Sequence, residues 1–305
     1  MTLQQDFSAK CAWFGWAFRK LRLGVDEVGV RELMHGAARV LGMRFRRAGR
    51  AEIQLRSGPV LEFDYPSQFP TVLVMFGDFV DPEFAFLRRI ARPDWVVADV
   101  GAAIGQFSLF AAGLPCAMVH AYEPSGANIA TLQRNVSRNG AEDRIKIHQL
   151  AFANKDGEAM FVTTASTWMS HLDSGDSPDA EKIVVRTFSG ELERENIDHL
   201  AVLKINVAGA EAGVIEGAMP FLAAGKADIL LLLLGLASLP WYAKLAEQRY
   251  RFFYYHPFKQ KLWEVTAFDR ASVLDHRPWP SRNIIAIHQD AIKRGVIGSI
   301  PVEKL

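Results

Sequence analysis

Two cysteines in 305 residues, Cys11 and Cys116, are too few for a disulfide framework or a cysteine-built metal centre, and they point to a reducing, cytoplasmic setting. The longest apolar run, Ile229 to Ala243, is too short to span a bilayer and is broken by Gly, Ser and Pro; it reads as a buried strand leading into a helix. No secretory signal is expected, because the Lys/Arg cluster follows the run "CAWFGWAF" instead of preceding it. A formal net charge of +1 makes no case for a nucleic-acid partner. No repeat or low-complexity tract is evident. The chain also lacks a complete G-x-G-x-x-G cradle, which disfavours a dinucleotide oxidoreductase.

The charge that is present is uneven. Residues 1–50 carry ten Lys/Arg against four acids. This basic helical extension is expected to cap the rest, and it is also a candidate for peripheral contact with an anionic membrane. In it, "DEVGVRELMHGAARVLG" places Val30, Leu33, Met34, Ala37 and Leu41 on one helical face, with Asp26 as N-cap. Residues 51–93 read as a β-hairpin turning at Ser57-Gly58, then a helix begun by Asp81-Pro82. Residues 291–305 read as a C-terminal tail.

From residue 94 to 290 strands and helices alternate. "WVVADV", "AMVHAYE", "RIKIHQL", "AVLKI" and "DILLLLL" are strands separated by helices, with an inserted hairpin at residues 155–187. "RFFYYHP", "KLWEVT" and "NIIAIH" complete the sheet. Continuous apolar strands in this alternation predict an α/β, doubly wound, mostly parallel sheet, with ligands at the carboxyl ends of its strands.

The clearest chemistry lies in "VVADVGAAIGQFS" followed by "HAYEPSGAN". Gly101 allows a tight turn after the strand, Ala102 and Ala103 keep the loop low, and Gly105 allows close contact between helix and strand. Asp99 ends the first strand. Glu123 ends the second, where an acid can accept the ribose hydroxyls of an adenosine. With no pyrophosphate cradle, the pattern favours S-adenosyl-L-methionine over NAD or FAD.

"DVGAAIGQFS", "YEPSGANIATLQRNVSRNG" and "LKINVAGAEAGVIEGA" resemble the three blocks of the FkbM-type methyltransferases, a branch of the class I S-adenosylmethionine enzymes; the likeness covers residues 60–290. The resemblance implies a Rossmann-like, seven-stranded sheet with a reversed last strand, and O-methylation of a sugar, polysaccharide or secondary-metabolite hydroxyl. It carries over Asp99, Gly101, Ala102, Ala103, Gly105, Glu123 and Pro124 as cofactor-binding residues, with Leu150 and Ala151 near the adenine. The family's third block usually reads K-I-D-V-E-G-A-E, whereas here Asn206 and Ala208 stand in place of acids. Asn206 can orient a hydroxyl but cannot take its proton, and an amide is a poor anchor for a divalent cation, so no metal is expected. Lys204, Asn206 and Glu211 remain as catalytic candidates, with His171 in the insertion as another; Lys204 reads equally as a structural ion-pair partner, Glu211 as an acid favouring its helix's first turn and His171 as a solvated loop residue, while His120 and His148 read as core or sheet-edge residues. The alternative is a non-catalytic cofactor-binding or partner protein that has lost its acceptor-site acids. The residues name neither the acceptor nor the oligomeric state.

Overall fold

A computed structural model describes residues 30–46, 49–65, 67–69, 71–77, 81–162, 171–173, 180–207, 209–233, 239–270, 272–273 and 282–305. The membrane-contact candidate "WFGWAFRKLRLG", the N-cap Asp26, Ala208 and most of the polar loop of the insertion lie outside these residues.

The parallel part of the main sheet is built from β3 (Val96–Val100), β4 (Met118–Tyr122), β5 (Ile145–His148), β10 (Leu200–Ile205) and β11 (Ala227–Leu233). β14 (Asn283–His288) lies antiparallel between β11 and β12 (Tyr250–His256). Together these seven strands run in the order 5-4-3-10-11-14-12, the expected seven-stranded sheet with its last strand reversed. Two further strands extend it: β13 (Lys261–Val265), and β15 (Val302–Lys304), which pairs parallel to β13. Residues 291–305 are therefore not a bare tail. A short helix, Gln289–Lys293, leads through turns to β15, which closes one edge of the sheet.

Apolar side chains cover both faces. Val97, Val202, Ile229 and Ile285 belong to one core, and Ala98, Leu203, Leu230 and Ile284 to the other. This double burial is why β10 and β11 read as unbroken apolar runs. The order reverses between β3 and β10, which makes their carboxyl ends the topological switch point where such sheets bind ligands.

The insertion forms a separate small sheet of β6 (Ala151–Phe152), β7 (Gly157–Val162), β8 (His171–Asp173) and β9 (Ala180–Arg186). The hairpin of β1 (Arg50–Gln54) and β2 (Val60–Asp64) docks on the helix Gly126–Arg138. There the Asn135 amide exchanges hydrogen bonds with the Glu62 backbone at 2.7 and 3.0 Å and also donates to the Ile104 carbonyl at 2.9 Å. One buried side chain thus ties the hairpin to the loop after β3.

The helix Val30–Arg46 packs with its other side. Val30, Met34 and Leu41 are 55, 66 and 56% exposed, while Val40 and Met43 pack against the core. Gly36 sets this orientation, because a Cβ there would stand 2.2 Å from the Met75 carbonyl oxygen of the helix Thr71–Phe76. Backbone approach through a glycine outweighs the larger apolar stripe. No helix among the described residues is long and apolar enough to cross a membrane.

Candidate active site

The loop after β3 is held from two sides. Gly101 has φ +77°, and a Cβ on it would meet the Asn206 carbonyl oxygen at 1.9 Å. The Asn206 N–H donates to the Val100 carbonyl at 3.0 Å. Gly101 therefore permits the turns after β3 and β10 to touch. Gly105, at φ +95°, leaves the space that Leu132 occupies, bringing the helix Gly126–Arg138 close. Ala102 is buried. Ala103 is left-handed at φ 48°, an uncommon conformation for a residue with a Cβ, and its N–H donates to Glu123 Oε2 at 2.9 Å.

Glu123 is buried at the end of β4. Its Oε1 accepts from the Ser125 N–H and from Asn128 Nδ2, both at 3.1 Å. A carboxylate offers about four lone-pair sites, so roughly one remains open. Beside it the buried Asn128 Oδ1 has no hydrogen-bond partner. Two adjacent acceptors thus suit the two donor hydroxyls of a ribose, and the residues present fit an adenosine. Burial raises the Glu123 pKa, opposed by those three hydrogen bonds. Pro124 is half-buried, and its carbonyl accepts from Gln149 Nε2 at 3.4 Å. Leu150 and Ala151 are buried where the chain leaves β5 for β6.

Asp99 has a different place from the one its position in the sequence suggests. It is fully buried, and its register neighbour on β10 is Lys204. Lys204 Nζ donates to Asp99 Oδ1 at 2.7 Å, and Ser108 Oγ donates to Oδ2 at 2.7 Å. The strand-end acid and the candidate lysine are partners in one buried ion pair beneath the helix Gln106–Ala112, where the ammonium also lies 5.6 Å from the Phe107 ring centroid. A lysine held this way serves as the counter-charge of Asp99. Glu211 opens the helix Glu211–Ala223, and its Oε1 accepts from the Val207 N–H at 3.2 Å, so it closes the turn after β10. Asn206 is half-buried on that turn. His171 lies in β8 of the separate sheet.

A second polar group at this end was not visible in the sequence. Asn283, first in β14, stands opposite Leu233, last in β11. Its amide donates to Glu83 Oε1, from the first turn of the helix Pro82–Ile90. Arg282 makes a two-pronged contact with Asp81 at 2.8 and 2.7 Å, and Gln106 Nε2 donates to Asp81 at 3.0 Å. Asp81 and Glu83 are both buried, and Glu83 Oε2 has no hydrogen-bond partner. Burial, reinforced by the Asp81 carboxylate, pushes Glu83 up to about 8. "DPE" reads only as a helix start, and nothing local announces a partner 200 residues away.

Glu83 therefore links stability to pH. Between about pH 4.5 and 8 the folded chain keeps a proton that the unfolded chain releases, so this contribution is full below pH 4.5 and is lost as pH rises through 8. Glu83→Gln keeps the shape and removes the titration. In urea unfolding, the variant is expected to gain at least about 2 kcal/mol relative to the parent on going from pH 5 to pH 8. Parallel pH profiles for the two proteins would refute this.

A family model for the methyltransferase FkbM domain matches residues 99–256, more than half of the chain. No curated protein matches it. Among solved structures, the methyltransferase FkbM from Methylobacillus flagellatus KT is 17% identical with a TM-score of 0.42; the match covers 72% of this chain and 53% of that one, so this chain spans about half that protein's length. An rRNA methylase from Streptococcus thermophilus is 11% identical over 68% of this chain and 95% of its own, with a TM-score of 0.40. The matched span begins at Asp99 and takes in the loop after β3, Glu123 and the turn after β10, and on that match the chain belongs to the FkbM methyltransferase family.

Proposed function

We propose that the chain transfers the methyl group of S-adenosylmethionine to a hydroxyl oxygen of a sugar, polysaccharide or secondary metabolite. The observation that carries this reading is the pair of adjacent acceptors, Glu123 and Asn128 Oδ1, beside the Gly101–Gly105 loop at the switch point of an FkbM-family chain. When bound, the cofactor supplies a methyl group made electrophilic by its sulfonium. Glu123 and Asn128 would accept the ribose hydroxyls, and Leu150 and Ala151 would border the adenine.

Methyl transfer is an in-line displacement, so alignment of donor and acceptor supplies much of the rate. The contact of Gly101 with the Asn206 backbone fixes the distance between the two turns. The Asn206 amide can hold an incoming hydroxyl by donating to it or accepting from it. Lys204 and Glu211 are already engaged. Glu83 has an unpartnered oxygen, and this reading assigns its ionised form, populated as pH rises through about 8, to receive the hydroxyl proton.

Calorimetry with S-adenosylmethionine and S-adenosylhomocysteine tests the cofactor half, and transfer of labelled methyl to a panel of glycans and small alcohols tests the acceptor half. The expected results are binding of both compounds and labelling of at least one hydroxyl compound. Absence of binding defeats the reading, and binding without transfer to any acceptor favours a cofactor-binding partner protein. Asn206→Ala is expected to lower turnover about tenfold with cofactor affinity unchanged, the loss of one orienting hydrogen bond.

A further inference from the structure

We infer that His120, His148 and Glu195 form a binding site for a single Zn²⁺ ion, separate from the candidate methyl-transfer site. The two histidines sit on adjacent strands. His120 pairs in register with Lys146 and Tyr122 pairs with His148, so His148 lies two residues beyond the partner of His120, on the same face of the sheet. His120 Nδ1 and His148 Nε2 are 3.1 Å apart. Tetrahedral zinc with Zn–N bonds of about 2.0–2.1 Å separates two ligating nitrogens by roughly 3.3 Å, so the strands already hold this edge of the tetrahedron.

Glu195, the C-cap of the helix Phe188–Arg194, brings a carboxylate over the pair, with Oε1 4.0 Å from His148 Nδ1. One ligand atom from each of the three residues lies within 4.8 Å of the others. The Glu195 side chain is 21% exposed, so an ion has a way in and a water can take the fourth position. Lys146 Nζ contacts Oε2 of the same carboxylate, which leaves Oε1 to face the ion. The Tyr122 ring stacks on His148 at 4.5 Å and 22° and fixes its orientation.

Proton accounting allows the change. At present the two nitrogens share one hydrogen bond, and hence one proton. Moving that proton to the other nitrogen of its own ring frees both facing lone pairs with no net release.

The test uses the full chain stripped of metal by a chelator. Zn²⁺ uptake is followed by competition with a chromogenic chelator, and Co²⁺ by its visible absorption. One equivalent of Zn²⁺ and a tetrahedral Co²⁺ spectrum are expected, with affinity reduced at least about tenfold in Glu195→Gln and more in His120→Asn and His148→Asn. No stoichiometric uptake, or uptake unchanged in the variants, overturns the inference. Circular dichroism checks folding. If the histidine variants fail to fold, Glu195→Gln at the helix end decides alone. No step depends on methyl transfer, so this result stands or falls apart from the functional reading.

Discussion

Glu123→Gln is expected to weaken S-adenosylmethionine binding by about 100-fold or more, measured by calorimetry. Hydrogen bonds to a charged group contribute about 1.5–3 kcal/mol each, and a tenfold change in affinity is about 1.4 kcal/mol. The carboxylate accepts from Ala103, Ser125 and Asn128, and the proposed ribose contact adds one more. An amide supplies one oxygen in place of two and turns an NH₂ toward a donor. If that donor is the Ala103 N–H, the left-handed residue loses its anchor and the loop moves as well. Binding within threefold of the parent, in a variant that retains its fold, would show that Glu123 only braces the loop.

Lys204→Met is expected to cost about 3–5 kcal/mol, because it leaves the Asp99 carboxylate buried without its cation. For a chain of this size that is a fall in Tm of about 5–8 °C by calorimetry. Adding Asp99→Asn removes the stranded charge and should return most of the loss. Ser108 then donates to an amide oxygen in place of a carboxylate. A double variant no better than the single would mean that Asp99 is not the group Lys204 serves.

The alternation of strand and helix was legible because β3, β10 and β11 are covered on both faces and so appear as continuous apolar stretches. The acids at the strand ends were legible as positions, but not all of their partners were. Asp99 looks like a free ligand until register places Lys204 beside it from 105 residues away. Glu83 looks like a helix-start acid until β14 returns Asn283 to it. Both facts depend on which strands become neighbours, and local spacing does not carry that. The helix Val30–Arg46 shows a related limit. Apolar periodicity picks out large side chains, whereas the contact was set by a residue with none, Gly36. Residues 291–305 are short and interrupted by Gly295, Gly298 and Pro301, so they show no periodic signal, yet they supply β15.

The two ends of the sheet differ from its middle in a way that bears on solubility. The outermost strands are β5, with four residues, and β15, with three, whereas the inner β11 and β12 have seven each. Lys146 lies within the first of these margins, and Glu303 and Lys304 within the second. An outermost strand offers unpaired amides and carbonyls to any passing chain, and shortness and charge are the usual protections against that. Among the described residues, the nine-stranded sheet thus ends on both sides in stubs that give a second molecule little length on which to pair.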